Sequence, residues 1–366
     1  LVDSSLHQLE IRQREITGSG MPFGLQIMLT CLPACIHNDD PLNILDLDNA
    51  FNIIKERLTQ DKYIESLIEK HLVNNPHKLN YSLVPDTEFN KRNEDAIVKK
   101  VHQRTESLTI DDKNKIVALA EALEKRQEKI DDPEILPKVT KDDIPLSRNY
   151  PKPDIFVSNN IENYFYKSGT NGLVYHSMLF PCEALDNDEL KIASLFTSSL
   201  TDVGLGSDSY EDVQKYQSSI TGGISASFAM IPNAGGLEHK LALKISGKSL
   251  EKNAHLMQDL MLRTVQEANF DERQRIQELL SFISADNEQS LTQNGHILAM
   301  ANAASQLTEV ASTNDFTSGV RFISNTGLLS KNIDNNDNLD IYIKNLKSIQ
   351  SKISLTPKNI FTASSL

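Results

Sequence analysis

Histidine is the side chain most often used to hold a metal or move a proton near neutral pH. The nine histidines of this 366-residue chain are therefore where chemistry would first show. No H-x-x-E-H run or its inverse occurs, the arrangement that sets two imidazoles and a general-base carboxylate on one helical face. His71 and His77 straddle Pro76 and do not share a helix. His239 falls on the apolar side of an alternating stretch, which predicts a hydrogen-bonded core histidine. His296 follows Gly295 at an expected helix break and reads as structural. Cys31 and Cys35 are four apart, on one helical face, with His37 and Asp39 close by. They lack tetrahedral ligand spacing, and their neighbours Ile27, Met28, Leu29 and Leu32 are apolar, so small buried hydrophobes are expected. With Cys182 the count is three, and an odd number in so long a chain favours a reducing compartment over a disulfide framework.

Other chemistries find no better footing. There is no G-x-S-x-G elbow, P-loop or dinucleotide fingerprint. Asn233-Ala234-Gly235-Gly236 lies between two strand patterns and reads as a hairpin loop rather than a phosphate cradle. Asp271, Glu272 and Glu278 gather where a helix begins, and the helix dipole accounts for them. The residues alone predict no catalytic residue and no metal ligand, hence a binding or structural module.

The elements that would carry such a module follow from composition and periodicity. Hydrophobic residues are 39% and charged residues 24%, which is globular. The net charge of −13 divides into −5 before Asp154 and −8 from it onward. That argues against nucleic acid, and it suits either solubility or the attraction of cationic peptides. No apolar run approaches the ~18 residues of a membrane span, and no basic leader is evident. The chain opens Leu1-Val2-Asp3 without Met, so an excerpt of a longer product is expected.

Residues 1–153 read as helix after helix. Leu6, Leu9, Ile11 and Ile16 form one apolar stripe, Gly18-Ser19-Gly20 breaks it, and Pro22 suits the first turn of a helix through Leu32. Asp46 or Asp48 can cap a helix bearing Phe51, Ile54 and Leu58, and helix continues through Leu72. Leu79, Tyr81 and Leu83 alternate as a short strand. Residues 86–131 predict a helical hairpin whose second arm starts at Thr109-x-x-Asp112 and carries Ile116, Leu119 and Leu123, packed mainly on the first arm. Prolines from Pro133 to Pro153 mark a stiff boundary.

From 154 to 366 the period changes. Strands at 162–167 and 172–180 flank a hairpin signal, Ser168-Gly169-Thr170-Asn171-Gly172. Asp186 opens a helix, and another near 209–220 ends at Gly222-Gly223. Strands 224–231 and 237–245 follow, then helices at 249–268, 272–293, 295–312, 315–323 and 339–350, and a closing strand at 358–363. The expected class is α+β: a helical linker, then a two-layer α/β domain with an antiparallel or mixed sheet and helices on one face.

Several stretches together resemble one family. They are Thr17-Gly18-Ser19-Gly20-Met21-Pro22-Phe23-Gly24-Leu25, Leu72-Val73-Asn74-Asn75-Pro76-His77, and the hairpin followed by Asp142-Asp143-Ile144-Pro145. A fourth runs from Gly206-Ser207-Asp208 through Thr221-Gly222-Gly223-Ile224-Ser225. The resemblance is to presequence-degrading zinc peptidases of the pitrilysin or insulinase superfamily. It implies that the chain is the linker between two halves plus the third, inactive domain of four. The partners implied are the zinc-bearing N-terminal half and the fourth domain. Zinc would belong to the parent enzyme and not to this chain. Aligning on Gly206-Ser207 places Thr197, Ser198, Ser199, Leu200 and Thr201 where the zinc motif would stand. The linker would hinge the halves and the domain would wall a closed chamber for small unstructured peptides, with acidic walls favouring cationic ones. Ile224, Ser225, Ala226 and Ser227 would contact a peptide by strand addition if their strand lies at a sheet edge, although the prior for internal pairing places it inside the sheet. The alternative is a free-standing scaffold or adaptor subunit of the same superfamily. A third reading is a helical interaction protein with no peptidase link. The interior of a bacterial cell, mitochondrion or plastid is the expected location.

Overall fold

In the computed structural model, residues 2–16, 20–130, 132–135, 137–138, 140–147, 150–232 and 239–365 are described. The chain forms two compact units, Leu1–Glu56 with Pro151–Leu366, and Arg57–Tyr150. These bounds differ from the expected division at 153/154, because the first helix, α1 (Val2–Arg14), belongs with the sheet. Its Ile11 is 2% exposed and packs on Leu173 and Leu250. His7 and Glu10 of α1 are buried as well.

The helices α2 (Phe23–Ile36), α3 (Leu42–Leu45) and α4 (Leu47–Leu58) follow. Pro22 sits at the start of α2 as expected, but the helix runs past Pro33 to Ile36. Asp46 accepts from the Asn49 N–H and so caps α4. The expected break at Gly18-Ser19 lies outside the described residues. Cys35 is exposed and Cys31 half-buried, so the buried-hydrophobe expectation fails for Cys35. The reason is that α2 buries only Ala34.

The second unit holds α5 (Tyr63–Ile68), a wider π-helical turn at Glu69–Val73, α6 (Phe89–Glu106) and α7 (Ile110–Glu128). Thr109 and Asp112 form the expected reciprocal cap of α7. The expected packing of one arm on the other is not found: neither helix buries a residue, and Leu119 is 72% exposed. The expected strand at Leu79, Tyr81 and Leu83 does not form either, since no second strand among the described residues offers it a hydrogen-bonding ladder.

The first unit is built on the strands β1 (Asp154–Ser158), β2 (Ile161–Lys167) and β3 (Leu173–Pro181). The helix α8 (Asn187–Leu200), the short β4 (Gly204–Leu205) and α9 (Tyr210–Ile220) come next. They lead to β5 (Ile224–Pro232), β6 (His239–Leu250), α10 (Ala254–Glu267) and the short β7 (Ala268–Asn269). The chain continues through α11 (Arg273–Ala304), α12 (Glu309–Ser318), α13 (Val320–Asn332), α14 (Asn336–Ser351) and β8 (Asn359–Ser364). Six strands form one mixed sheet in the order β1-β2-β8-β3-β6-β5, in which only β2 and β8 run parallel. The α+β class is therefore observed.

Two sequence signals were misread. The closing strand β8 inserts between β2 and β3, so Ser168–Gly172 is a crossover and not a hairpin turn. The hairpin is instead β1–β2, turned by Asn159 and Asn160 with φ of 50° and 62°, left-handed values that Asn tolerates. Gly295 does not break a helix: α11 runs through it for 32 residues, which places His296 on a helix surface.

One sheet face is closed by helices. Phe196 of α8 is fully buried, its ring centroid 5.5 Å from Phe270 and 6.1 Å from Phe228 of β5. Leu243 and Ile245 of β6, Met257 and Met261 of α10, and Leu346 and Ile349 of α14 join the same core, each fully buried. At roughly 25 cal/mol per Å2, burial on this scale is what holds the unit together. Among the described residues the opposite face is covered at one end, where Ile11 of α1 meets Leu173.

Candidate functional site

Among the described residues the strand β5 pairs only with β6 and so lies at a sheet edge, which overturns the expectation of an internal strand. Its sequence explains why it forms there. Ile224, Ala226 and Phe228 pack against the helical core while Ser225 and Ser227 are exposed on the other face. Gly223, at φ 110°, turns the chain out of α9 into the strand, a conformation that favours glycine. An edge strand carries a row of backbone N–H and C=O groups free for another chain. Ile224, Ser225, Ala226 and Ser227 thus lie in one continuous edge segment.

Two hollows flank this edge. On the open face a groove of about 430 Å3 is lined by Glu15, Tyr175, Gly223, Ser225, Ser246 and Lys248. Lys248 Nζ donates to Glu15 at 2.6 Å. Burial and the Glu15 carboxylate raise the pKa of Tyr175. On the helical face a smaller cavity of about 200 Å3 lies between α8, α12 and β5, with Ser194, Thr197, Phe228 and Met230 among its walls.

That cavity adjoins the helix where the zinc motif would stand, so its donor set can be tested. Thr197 Oγ1 donates to the Ser194 carbonyl at 3.1 Å, and Ser194 Oγ donates to the Thr317 carbonyl at 2.6 Å. Ser199 is buried and hydrogen-bonds Tyr342, while Leu200 lies in the core. Neutral hydroxyls already spent on carbonyls do not fit a site that needs imidazole or carboxylate ligands. Among the described residues, no group of three or more His, Cys, Asp or Glu is placed to hold a metal ion.

Two of the histidines near the sheet are buried. His176 is 2% exposed on β3, with Nδ1 2.9 Å from Thr362 Oγ1 and 3.4 Å from Gln258 Nε2. Burial pulls its pKa down to about 4. His7 is lowered by the same cause where α1 meets α9. Gln8 Nε2 secures that contact by donating at 2.6 Å to the carbonyls of Ser218 and Thr221. Glu189 closes the cap of α8 with Asp186 and takes Lys352 Nζ at 2.5 Å. The side chain of His239 lies outside the described residues, as does the expected hairpin loop at Asn233–Gly236. Neither buried histidine was marked by a motif, because only tertiary packing distinguishes a buried imidazole from an exposed one. The apolar neighbours of His176, Leu173 to Phe180, were the available signal.

Comparison with known proteins places the chain. The mitochondrial presequence protease of Mus musculus is 25% identical over 322 residues, covering 87% of this chain and 31% of that protein. Presequence protease 1, chloroplastic/mitochondrial, of Arabidopsis thaliana is 25% identical over 341 residues, 91% of this chain and 31% of that protein. The chain thus spans about a third of the length of these curated relatives. A crystal structure of a peptidase M16 inactive domain from Pseudomonas fluorescens aligns with a TM-score of 0.39 and 14% identity, over 59% of this chain and 47% of that one. The fold class rests on the mixed sheet and its helical layer. The family model described as peptidase M16 (subfamily C) associated matches residues 83–327, more than half of the sequence, so the chain belongs to that family.

Proposed function

We propose that this chain is the non-catalytic part of a zinc-dependent metalloendopeptidase that degrades small unstructured peptides. The helical segments to residue 153 hinge the two halves of the parent enzyme, and residues 154–366 form a wall of the chamber between them. A zinc-bearing N-terminal half and a fourth domain of the same protein complete it. Ile224, Ser225, Ala226 and Ser227 contact the peptide by pairing it to β5. The observation that carries the peptide-contact reading is the position of β5 at the sheet edge, beside a groove open to solvent. Family membership and the relatives' names support the peptidase context. Those names also support a mitochondrial or plastid location for a eukaryotic source; for a bacterial source the proposed location is the cytoplasm. No helix among the described residues is long and apolar enough to cross a membrane.

Reconstitution tests the proposal. This chain and a separately produced zinc half are each expected to leave a quenched fluorescent peptide intact, and their mixture to cleave it. Cleavage by this chain alone, or stoichiometric zinc retained by it after dialysis, would overturn the non-catalytic assignment. A mixture that stays inactive, with a second chain bound in its place, would favour a free-standing adaptor.

A further inference from the structure

The open-face side of β6 carries a charge pattern opposite to that of the molecule. Along β6, Leu243 and Ile245 point into the helical core, and Gly247 abuts Met257 and Met261. The alternate positions Lys240, Lys244, Ser246 and Lys248 therefore lie on the other face. Ser246 confirms the orientation, its Oγ lying 2.8 Å from Ser177 Oγ on the neighbouring strand. Lys240 and Lys244 are exposed and form no ion pair among the described residues, whereas Lys248 is paired with Glu15. In register across the edge, Lys244 stands opposite Ser227, and Lys240 opposite Ile231.

We infer that the β5 edge selects an extended peptide segment that carries a carboxylate on the open face, read by Lys244 of β6 across the short Ser227. The inference rests on the edge-strand reading above and adds its substrate class. A strand added beside β5 would lie two strand spacings from β6, about 9.6 Å. Ser225 and Ser227 are too short to fill that span on the open face. The four-carbon stem of Lys244 can therefore pass over Ser227, and a Glu or Asp side chain of the added strand can meet it. The net charge of −13 does not reverse this. Beyond a screening length of about 8 Å at physiological salt, exposed carboxylates elsewhere on the surface contribute little, so the nearest charges set the local field.

The test uses the full chain and three end-blocked peptides of equal length, with Thr alternating with Gln, Glu or Lys. Binding is read by fluorescence anisotropy at low and high salt. The Glu peptide is expected to bind about tenfold more tightly than the Lys peptide at low salt, with the gap closing at high salt. One favourable charge pair with Glu and one like-charge pair with Lys at Lys244, about fivefold each at most, allow a difference of this order. Lys244→Glu is expected to remove most of the preference. Lys344→Glu, the same change of charge on an exposed position of α14, is expected to leave it intact. Equal binding of all three peptides, tighter binding of the Lys peptide, or equal effects of the two variants would overturn the charge selection while leaving edge pairing standing. Failure of every peptide to bind would overturn both.

Discussion

The unit that contains the sheet and the unit that spans Arg57–Tyr150 are made of equally plausible helices, yet one has a core and the other has none among its described residues. In the first, α8 is capped by Asp186 and Glu189 and buries Ile192, Leu195, Phe196 and Leu200. In the second, α7 is capped just as fully by Thr109 and Asp112, and buries nothing. The contrast separates two contributions that sequence patterns blur. Capping and propensity decide whether a helix starts, while burial decides whether it is held. The apolar stripe of α7 is intact in the sequence but has no packing partner among the described residues of its own unit.

Matched substitutions sharpen that contrast. Phe196→Ala removes a fully buried ring from the core and is expected to cost about 3–5 kcal/mol, read from the urea midpoint. A midpoint shift below a fifth of that range would mean the core is looser than its burial implies. Acidification should act on the sheet unit next. His176 has a folded-state pKa of about 4, below its unfolded value, so the unfolded chain takes up the proton first. The neutral imidazole's contribution is complete above pH 6.5, declines as pH falls toward 4, and levels off below that. About 3 kcal/mol is at stake over this window. Comparing denaturation at pH 7 and pH 4 for the parent and for His176→Gln isolates it, because the variant should lose that part of the slope while His7 and the carboxylates still titrate. Asp186→Ala, which strips the cap of α8, is expected to cost about 1 kcal/mol. Leu119→Ala in the hairpin should change stability by less than about 0.5 kcal/mol. A large loss there would show that the stripe is buried in solution and would erase the difference between the two units.

Much of the secondary structure was legible because its signals are local. The caps at Asp186 and Thr109 and the alternation in β5 and β6 each depend on residues a few positions apart. That Thr197, Ser198, Ser199, Leu200 and Thr201 offer no imidazole or carboxylate could likewise be read in one dimension, since donor chemistry is a property of residue type. The candidate site was only half legible. The pattern named Ile224, Ser225, Ala226 and Ser227 as a strand, but period-2 alternation is the same at an edge as in a sheet interior.

What the sequence determined by itself was most of the helices, the strands β2, β3, β5, β6 and β8 in their order, and the lack of an H-x-x-E-H run, because those follow from short-range sterics, hydrogen bonding and residue chemistry. Only the tertiary structure decided that β8 would enter between β2 and β3, that β5 would be left at the edge, and that α1 would join the sheet unit. Strand pairing joins residues nearly two hundred positions apart, as Glu162 and Asn359 show. Its outcome is set by which faces can be buried together, a property of the whole folded unit that no single stretch of sequence contains.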